Sequence, residues 1–288
     1  MSFSDLFEQF VRERIYLKNV TPKTVRYHRQ SWDALCRMSG GSPEQLNKAL
    51  LAEFVVKLRE AGIKPVSCNT YISSINAFLA WLHENGHLAD RLKVKKLKVE
   101  QNLIKTLTDQ QVRAILNFKP ETSGERRVHV LSCLLLDTGI RIDEALSLRS
   151  ENVRFDDLYL IVRGKGQKER VVPFSPELRK VLWRYQKQRP QHELFISTRT
   201  GGKLSYHNMR RDFRAMCEKL GIFGIKGSFH LLRHTFATNY MEEGGSEIFL
   251  SKILGHTTLQ MTHRYTHPAQ RALQEVHRRT SLLERLRR

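Results

Sequence analysis

Leu158-Tyr-Leu-Ile-Val-Arg-Gly-Lys-Gly-Gln-Lys-Glu-Arg-Val-Val-Pro-Phe174 breaks the helical rhythm of this chain. Two strand-like runs, Leu158–Val162 and Glu169–Phe174, flank Gly164-Lys165-Gly166, and that pattern predicts an antiparallel β-hairpin. On either side, apolar residues recur at helical spacing. The expected fold is therefore mainly α with a small antiparallel β-sheet.

Downstream of the hairpin, helices are expected at about 176–189, 205–220, 230–243, 246–254 and 268–286. Upstream, Thr108-Asp-Gln-Gln111 is a capping box that opens a helix through Ile115 and Leu116. Val128–Leu136 is an apolar helix ending in Asp137-Thr-Gly139, and Ile142–Leu148 is a short one. Residues 1–92 read as all-helical. Phe3, Leu6, Phe7, Phe10 and Val11 make one stripe, and Thr21-Pro22 caps a helix carrying Val25, Trp32 and Leu35. Leu50, Leu51, Phe54, Val55 and Leu58 follow, and then a helix from about Ser67 to Glu84. These aromatic stripes read as core. Residues 93–105 form a basic linker, in which Lys93, Lys95, Lys96 and Lys98 are candidate nucleic-acid contacts. A second domain occupies 106–288, with a helical tail over 268–288.

The chain has 288 residues and carries 49 Lys and Arg against 29 Asp and Glu, a formal charge of +20. Residues 1–100 contribute +6 and residues 101–288 contribute +14. This excess exceeds what solubility needs and points to a polyanion partner touched by both parts. Cys36, Cys68, Cys133 and Cys217 are isolated, which suits a reducing, cytoplasmic setting rather than a zinc knuckle or disulfide framework. No secretory signal and no membrane-length apolar run is visible.

The chemistry-bearing residues lie in the second domain. No acidic cluster has metal-ligand spacing, so neither a metal nor another cofactor is expected, and a two-metal nuclease is disfavoured. Arg141 follows Thr138-Gly139-Ile140 at a helix start, where an anion is favoured. Alone, it reads as an ordinary surface arginine. Glu144, one turn on, is either its orienting carboxylate or a solvated charge. Lys165 sits at the hairpin tip, with Lys168 and Arg170 beside it. His230 and Arg233 share a helix face. His234 completes a His-x-x-x-His spacing, but Leu231 stands where a metalloprotease has glutamate. His256 after Gly255 reads as a helix C-cap or an anion contact, and Tyr265 as a core aromatic or a nucleophile.

Taken together, Thr-Gly-Ile-Arg141, a Lys165 hairpin, His230-Leu-Leu-Arg233-His234, Leu-Gly-His256 and Tyr265 resemble the tyrosine recombinase (phage integrase) family over residues 106–270. Residues 1–100 resemble its helical, SAM-like core-binding domain in pattern rather than motif, and the size and layout are similar to the simple Xer-like members. The resemblance implies a two-domain clamp around DNA. It also implies that Tyr265 attacks a phosphodiester to give a 3′-phosphotyrosine, and that Arg141 and Arg233 clamp the phosphate. His256 donates to it, His230 assists proton transfer, Lys165 protonates the leaving 5′-oxygen and Glu144 supports the first arginine. His234 is assigned a structural part. Lys168, Arg170, Arg210 and Arg211 join the linker lysines as expected DNA contacts.

The implied partner is double-stranded DNA with paired inverted half-sites. It is bound by a homo-tetramer that exchanges C-terminal tails and works through Holliday junctions, with a partner recombinase or accessory protein where the system uses one. The implied roles are dimer resolution or mobile-element integration and excision. The alternatives are a type IB topoisomerase-like enzyme or a transposon-encoded tyrosine transposase. Ile140 and Asp143 depart from the family's usual residues beside the first arginine.

Overall fold

The structure, a computed structural model, describes residues 2–99, 104–164, 168–224, 228–256, 258–263 and 265. The chain folds as two compact units that divide between residues 102 and 103. The first contains α1 (Phe3–Tyr16), α2 (Pro22–Met38), α3 (Lys48–Glu60) and α4 (Pro65–Glu84). Thr21 caps α2 by accepting from the Thr24 N–H, with Pro22 at the first helical position. α4 starts two residues before the expected Ser67, because Pro65 is preorganised for a helix's first turn. The stripes form a core. Phe7 stacks on Trp32 at 5.0 Å, and the Phe78 ring meets both edge-on at 5.2 and 5.3 Å.

The start of the basic segment is tied to this first unit. The Asn76 side chain donates to Val94 O at 2.9 Å and accepts from Val94 N at 2.8 Å. Asn69 makes the same pair of bonds with Leu97, at 2.9 and 2.8 Å. The match is metric: seven residues of helix rise about 10.5 Å, and three extended residues span about 10 Å. Two amides thus do the work of a neighbouring β-strand. They leave Lys93, Lys95, Lys96 and Lys98 exposed.

The second unit contains α5 (Asp109–Leu116), α6 (Ser123–Thr138), α7 (Ile142–Ala145), β1 (Val153–Arg154), β2 (Tyr159–Arg163), β3 (Glu169–Pro173), α8 (Pro176–Lys187), α9 (Tyr206–Lys219), α10 (His230–Glu242), α11 (Glu247–Leu254) and α12 (Gln260–His263). The expected hairpin pairs antiparallel from Tyr159–Pro173 to Arg163–Glu169, and β1 adds a short third strand beside β2. Leu160, Val162 and Val172 are buried. α6 is the spine, and it packs against α5, α7, α8, α9 and α10. It begins at Ser123, earlier than its apolar run, because Thr122 and Glu125 form a reciprocal capping box. The expected helix over 268–286 lies outside the described residues. No described helix is long and apolar enough to cross a membrane.

Candidate active site

Two helix ends form the mount of the site. α6 stops at Gly139 with φ +60°, and a Cβ there would lie 2.2 Å from the Phe236 ring, so only glycine fits. α11 stops at Gly255 with φ +62°. The last carbonyls of a helix lack intrahelical donors and carry partial negative charge. Here they receive arginines. Arg233, from the first turns of α10, donates to Gly139 O at 2.7 Å and to Leu254 O at 2.9 Å. Arg141 donates to the next carbonyl, Gly255 O, at 2.9 Å, so the two guanidinium groups hang side by side. Arg233 is only 6% exposed. Burial, and then the neighbouring Arg141, pulls its pKa down to about 10. It therefore remains a cation at neutral pH.

Glu144 stands behind this pair. It accepts from the Arg141 backbone at 2.8 Å and from Arg141 Nη1 at 3.0 Å. Its remaining capacity is taken by Arg170, which donates through both terminal nitrogens at 2.9 and 2.8 Å and reaches Ile253 O through Nε at 2.8 Å. Arg170 was expected on DNA. Instead its side chain, 14% exposed, faces inward and knits β3 to α7 and α11. Burial alone would push the Glu144 carboxyl up, but the Arg170 and Arg141 bonds outweigh it and hold the pKa below the ordinary value.

Arg170→Ala is expected to destabilise the unit by about 3–5 kcal/mol at neutral pH, as breaking one side of a buried ion pair does. The lowered carboxylate contributes stability above the unfolded value of about 4.3, and that contribution is lost as pH falls through the folded value. The gap between wild type and variant in urea unfolding should therefore narrow below about pH 4. A constant gap across that range would overturn the Glu144 linkage.

His256 follows Gly255. Its Nε2 lies 3.0 Å from Arg233 Nη2, and its Nδ1 lies 2.7 Å from Thr262 Oγ1 in α12. A guanidinium only donates, so Nε2 accepts here and the ring proton sits on Nδ1, bonded to Thr262. Tyr265 is 2% exposed and packs with Ala237, Met241, Leu250 and Leu254. Its hydroxyl lies 2.8 Å from His234 Nδ1. The sequence reading gave His234 a structural part, and proton transfer at the tyrosine to His230. His230 opens α10 in an exposed position, with its ring centroid 6.5 Å from that of His234.

Of the residues singled out from sequence, Arg141, Glu144, Arg233 and His256 converge, and Tyr265 lies beside them under His234. Lys165 lies outside the described residues. Lys168, Arg210 and Arg211 are exposed, and Arg211 approaches Asp212 at 3.3 Å. Among the described residues, no three His, Cys, Asp or Glu side chains gather as a metal site. Sequence reasoning missed the inward role of Arg170, although a signal existed. In β3, Arg170 shares its face with the buried Val172, and a charge on an inward strand face calls for a partner. Thr262 offered no such signal.

The chain matches the phage integrase family over residues 105–271 and the phage integrase N-terminal SAM-like domain over residues 7–86. It is similar to tyrosine recombinase XerA of Pyrococcus furiosus, 32% identical over 238 residues that span 81% of this chain and 80% of the relative. It is also similar to tyrosine recombinase XerD of Haemophilus influenzae, 28% identical over 95% of this chain and 97% of the relative. Among solved structures, the Tn1549 transposon integrase in complex with circular intermediate DNA superposes with a TM-score of 0.79 at 20% identity, over 95% of this chain and 99% of that one. The XerH site-specific recombinase bound to palindromic difH substrate does so at 0.73 and 18%, over 94% and 84%. These structural likenesses speak to the fold.

Proposed function

The chain belongs to the phage integrase family and is a tyrosine recombinase, a DNA breaking and rejoining enzyme of site-specific recombination; from that premise we propose that Tyr265 is its nucleophile and that Arg141, Arg233 and His256 form its phosphate cage. The observation that carries this reading is the mounting of both arginines on adjacent carbonyls at the end of α11, one braced by Glu144 and the other by Gly139 O. Two planar donors fixed beside each other suit the non-bridging oxygens of a phosphodiester.

In the proposed step, Tyr265 Oη forms a bond to phosphorus and the bond to the 5′-oxygen breaks. The phenol proton leaves towards a histidine of α10, and Lys165 supplies the proton that makes the 5′-hydroxyl. The 3′-phosphotyrosine keeps the bond energy, and attack by a 5′-hydroxyl reverses the step on the same or an exchanged strand. His234 holds the tyrosine hydroxyl in the buried arrangement, so attack requires the hydroxyl to leave that partner. For His256 to donate to phosphate, Arg233 Nη2 turns from it to the substrate and Nε2 takes up a proton from solvent, which leaves an imidazolium with its Nδ1–H still on Thr262.

The partner in this reading is double-stranded DNA bearing paired inverted half-sites, in the cytoplasm. Lys93, Lys95, Lys96, Lys98, Lys168, Arg210 and Arg211 touch its backbone, while Arg170 stays inside. Four copies joined by exchange of residues 268–288 hold two duplexes. A topoisomerase-like relaxing enzyme is not favoured, since the relatives named above are recombinases and an integrase. The test is a nicked suicide duplex carrying an inverted-repeat site. A protein–DNA adduct resistant to denaturant, on the 3′ side of the break, is expected. Metal-dependent hydrolysis without an adduct would overturn the reading.

A further inference from the structure

About 18–24 Å along α6 from Gly139, at the helix's other end, a cavity of about 150 Å³ opens between the start of α6, the end of α8 and the segment 189–199. Arg126, Arg127, Arg189, Arg199 and His192 line it, and no carboxylate is among its described lining residues. Arg127 Nε, Arg189 Nε and His192 Nε2 are buried with no hydrogen-bond partner among the described residues. Buried donors normally have acceptors, and guanidinium groups brought together without a counter-charge repel.

Arg189 shows the imbalance most clearly. Among the described residues, its terminal nitrogens reach only Pro190 O at 3.4 Å and the Ser197 and Ser150 hydroxyls at 3.5 Å, at the limit of bonding. Its guanidinium is nevertheless fixed, 5.2 Å from the Tyr185 ring centroid and 5.4 Å from that of Phe195. Burial lowers its pKa, and only the Tyr185 phenol acts in the other direction. The neighbouring acids are engaged elsewhere: Glu125 with Lys219, Asp212 with Arg211, and Glu193 with Arg149.

We propose that this cavity is a second anion site, separate from the strand-cleavage cage, and that it takes a phosphate-class oxyanion. Arginines suit it because planar forks match tetrahedral oxyanions. The adjoining cavity shares Arg126, Tyr185 and Gln188, holds about 460 Å³ and is walled by Phe118, Val130 and Val181. It has room for the organic part of a phosphate ester.

The test uses the full-length protein with inorganic phosphate, at an ionic strength held constant with chloride, and reads melting temperature and calorimetric affinity. Arg126→Gln combined with Arg199→Gln leaves the packed Arg189 in place. Assayed in an Arg141→Gln background, which takes the strand-cleavage cage out of the readout, phosphate should still bind, and the double variant should weaken that remaining binding at least about tenfold. An equal response to chloride, an unchanged double variant, or loss of binding in Arg141→Gln would overturn the proposal. Two further arms identify the source. Adenosine monophosphate binding more tightly than phosphate, through the same arginines, marks a free phosphate ester. A duplex whose salt-dependence slope falls by about one in the double variant marks a backbone phosphate. Either result upholds the site.

Discussion

Tyr265→Phe is expected to yield no covalent protein–DNA adduct on a nicked suicide duplex, a loss of at least about ten-thousand-fold in cleavage. The substitution removes one oxygen from a ring that is 2% exposed, so the packing against Ala237, Met241, Leu250 and Leu254 persists. Losing the bond to His234 should cost only about 1 kcal/mol of stability. Affinity for the duplex should stay near that of the wild type, because phosphate contacts supply it and the phenol does not. An adduct formed by Tyr265→Phe would show that another side chain attacks.

Arg233→Lys carries the second large effect. Lysine keeps a positive charge but cannot bridge Gly139 O and Leu254 O while presenting an edge to phosphate. Single-turnover cleavage should fall about a hundred- to a thousand-fold, the usual cost of losing one preorganised donor to a developing anion. Urea unfolding should show a loss of about 1–3 kcal/mol, since one buried carbonyl loses its donor. Arg233→Ala should lose still more stability, because both carbonyls are then orphaned. If Arg233→Lys cleaved at the wild-type rate, the fork geometry would have no part in catalysis.

What the chain discloses before folding follows from what side chains can signal. Thr21-Pro22 and Thr108 to Gln111 open helices as expected, because caps act through local hydrogen bonds. The hairpin is equally legible, because two β-branched-rich runs around glycines leave the backbone little choice. β1 escaped notice, since two residues hold no period. α6 was placed too late, because its start is a polar capping box rather than an apolar run. In the site, the arginines and histidines stand out by type and order. Their mount does not, because Gly139, Leu254 and Gly255 act through main-chain oxygens that every residue has. His234 and Tyr265 were read apart, as 31 positions separate them, and only the packing of α10 with the chain after α12 brings nitrogen and hydroxyl together.

The arginines on those carbonyls also have a dynamic consequence. A helix normally frays from its free end, and the last amides exchange with solvent faster than those of the interior. In α6 and α11 the terminal carbonyls are clamped by Arg233, one guanidinium joining both ends. The two ends should therefore open as one event, and their amide exchange rates should rise and fall together. A substrate phosphate that draws Arg233 outwards would loosen both helices in the same instant, so turnover would be written into deuterium uptake at the two helix ends.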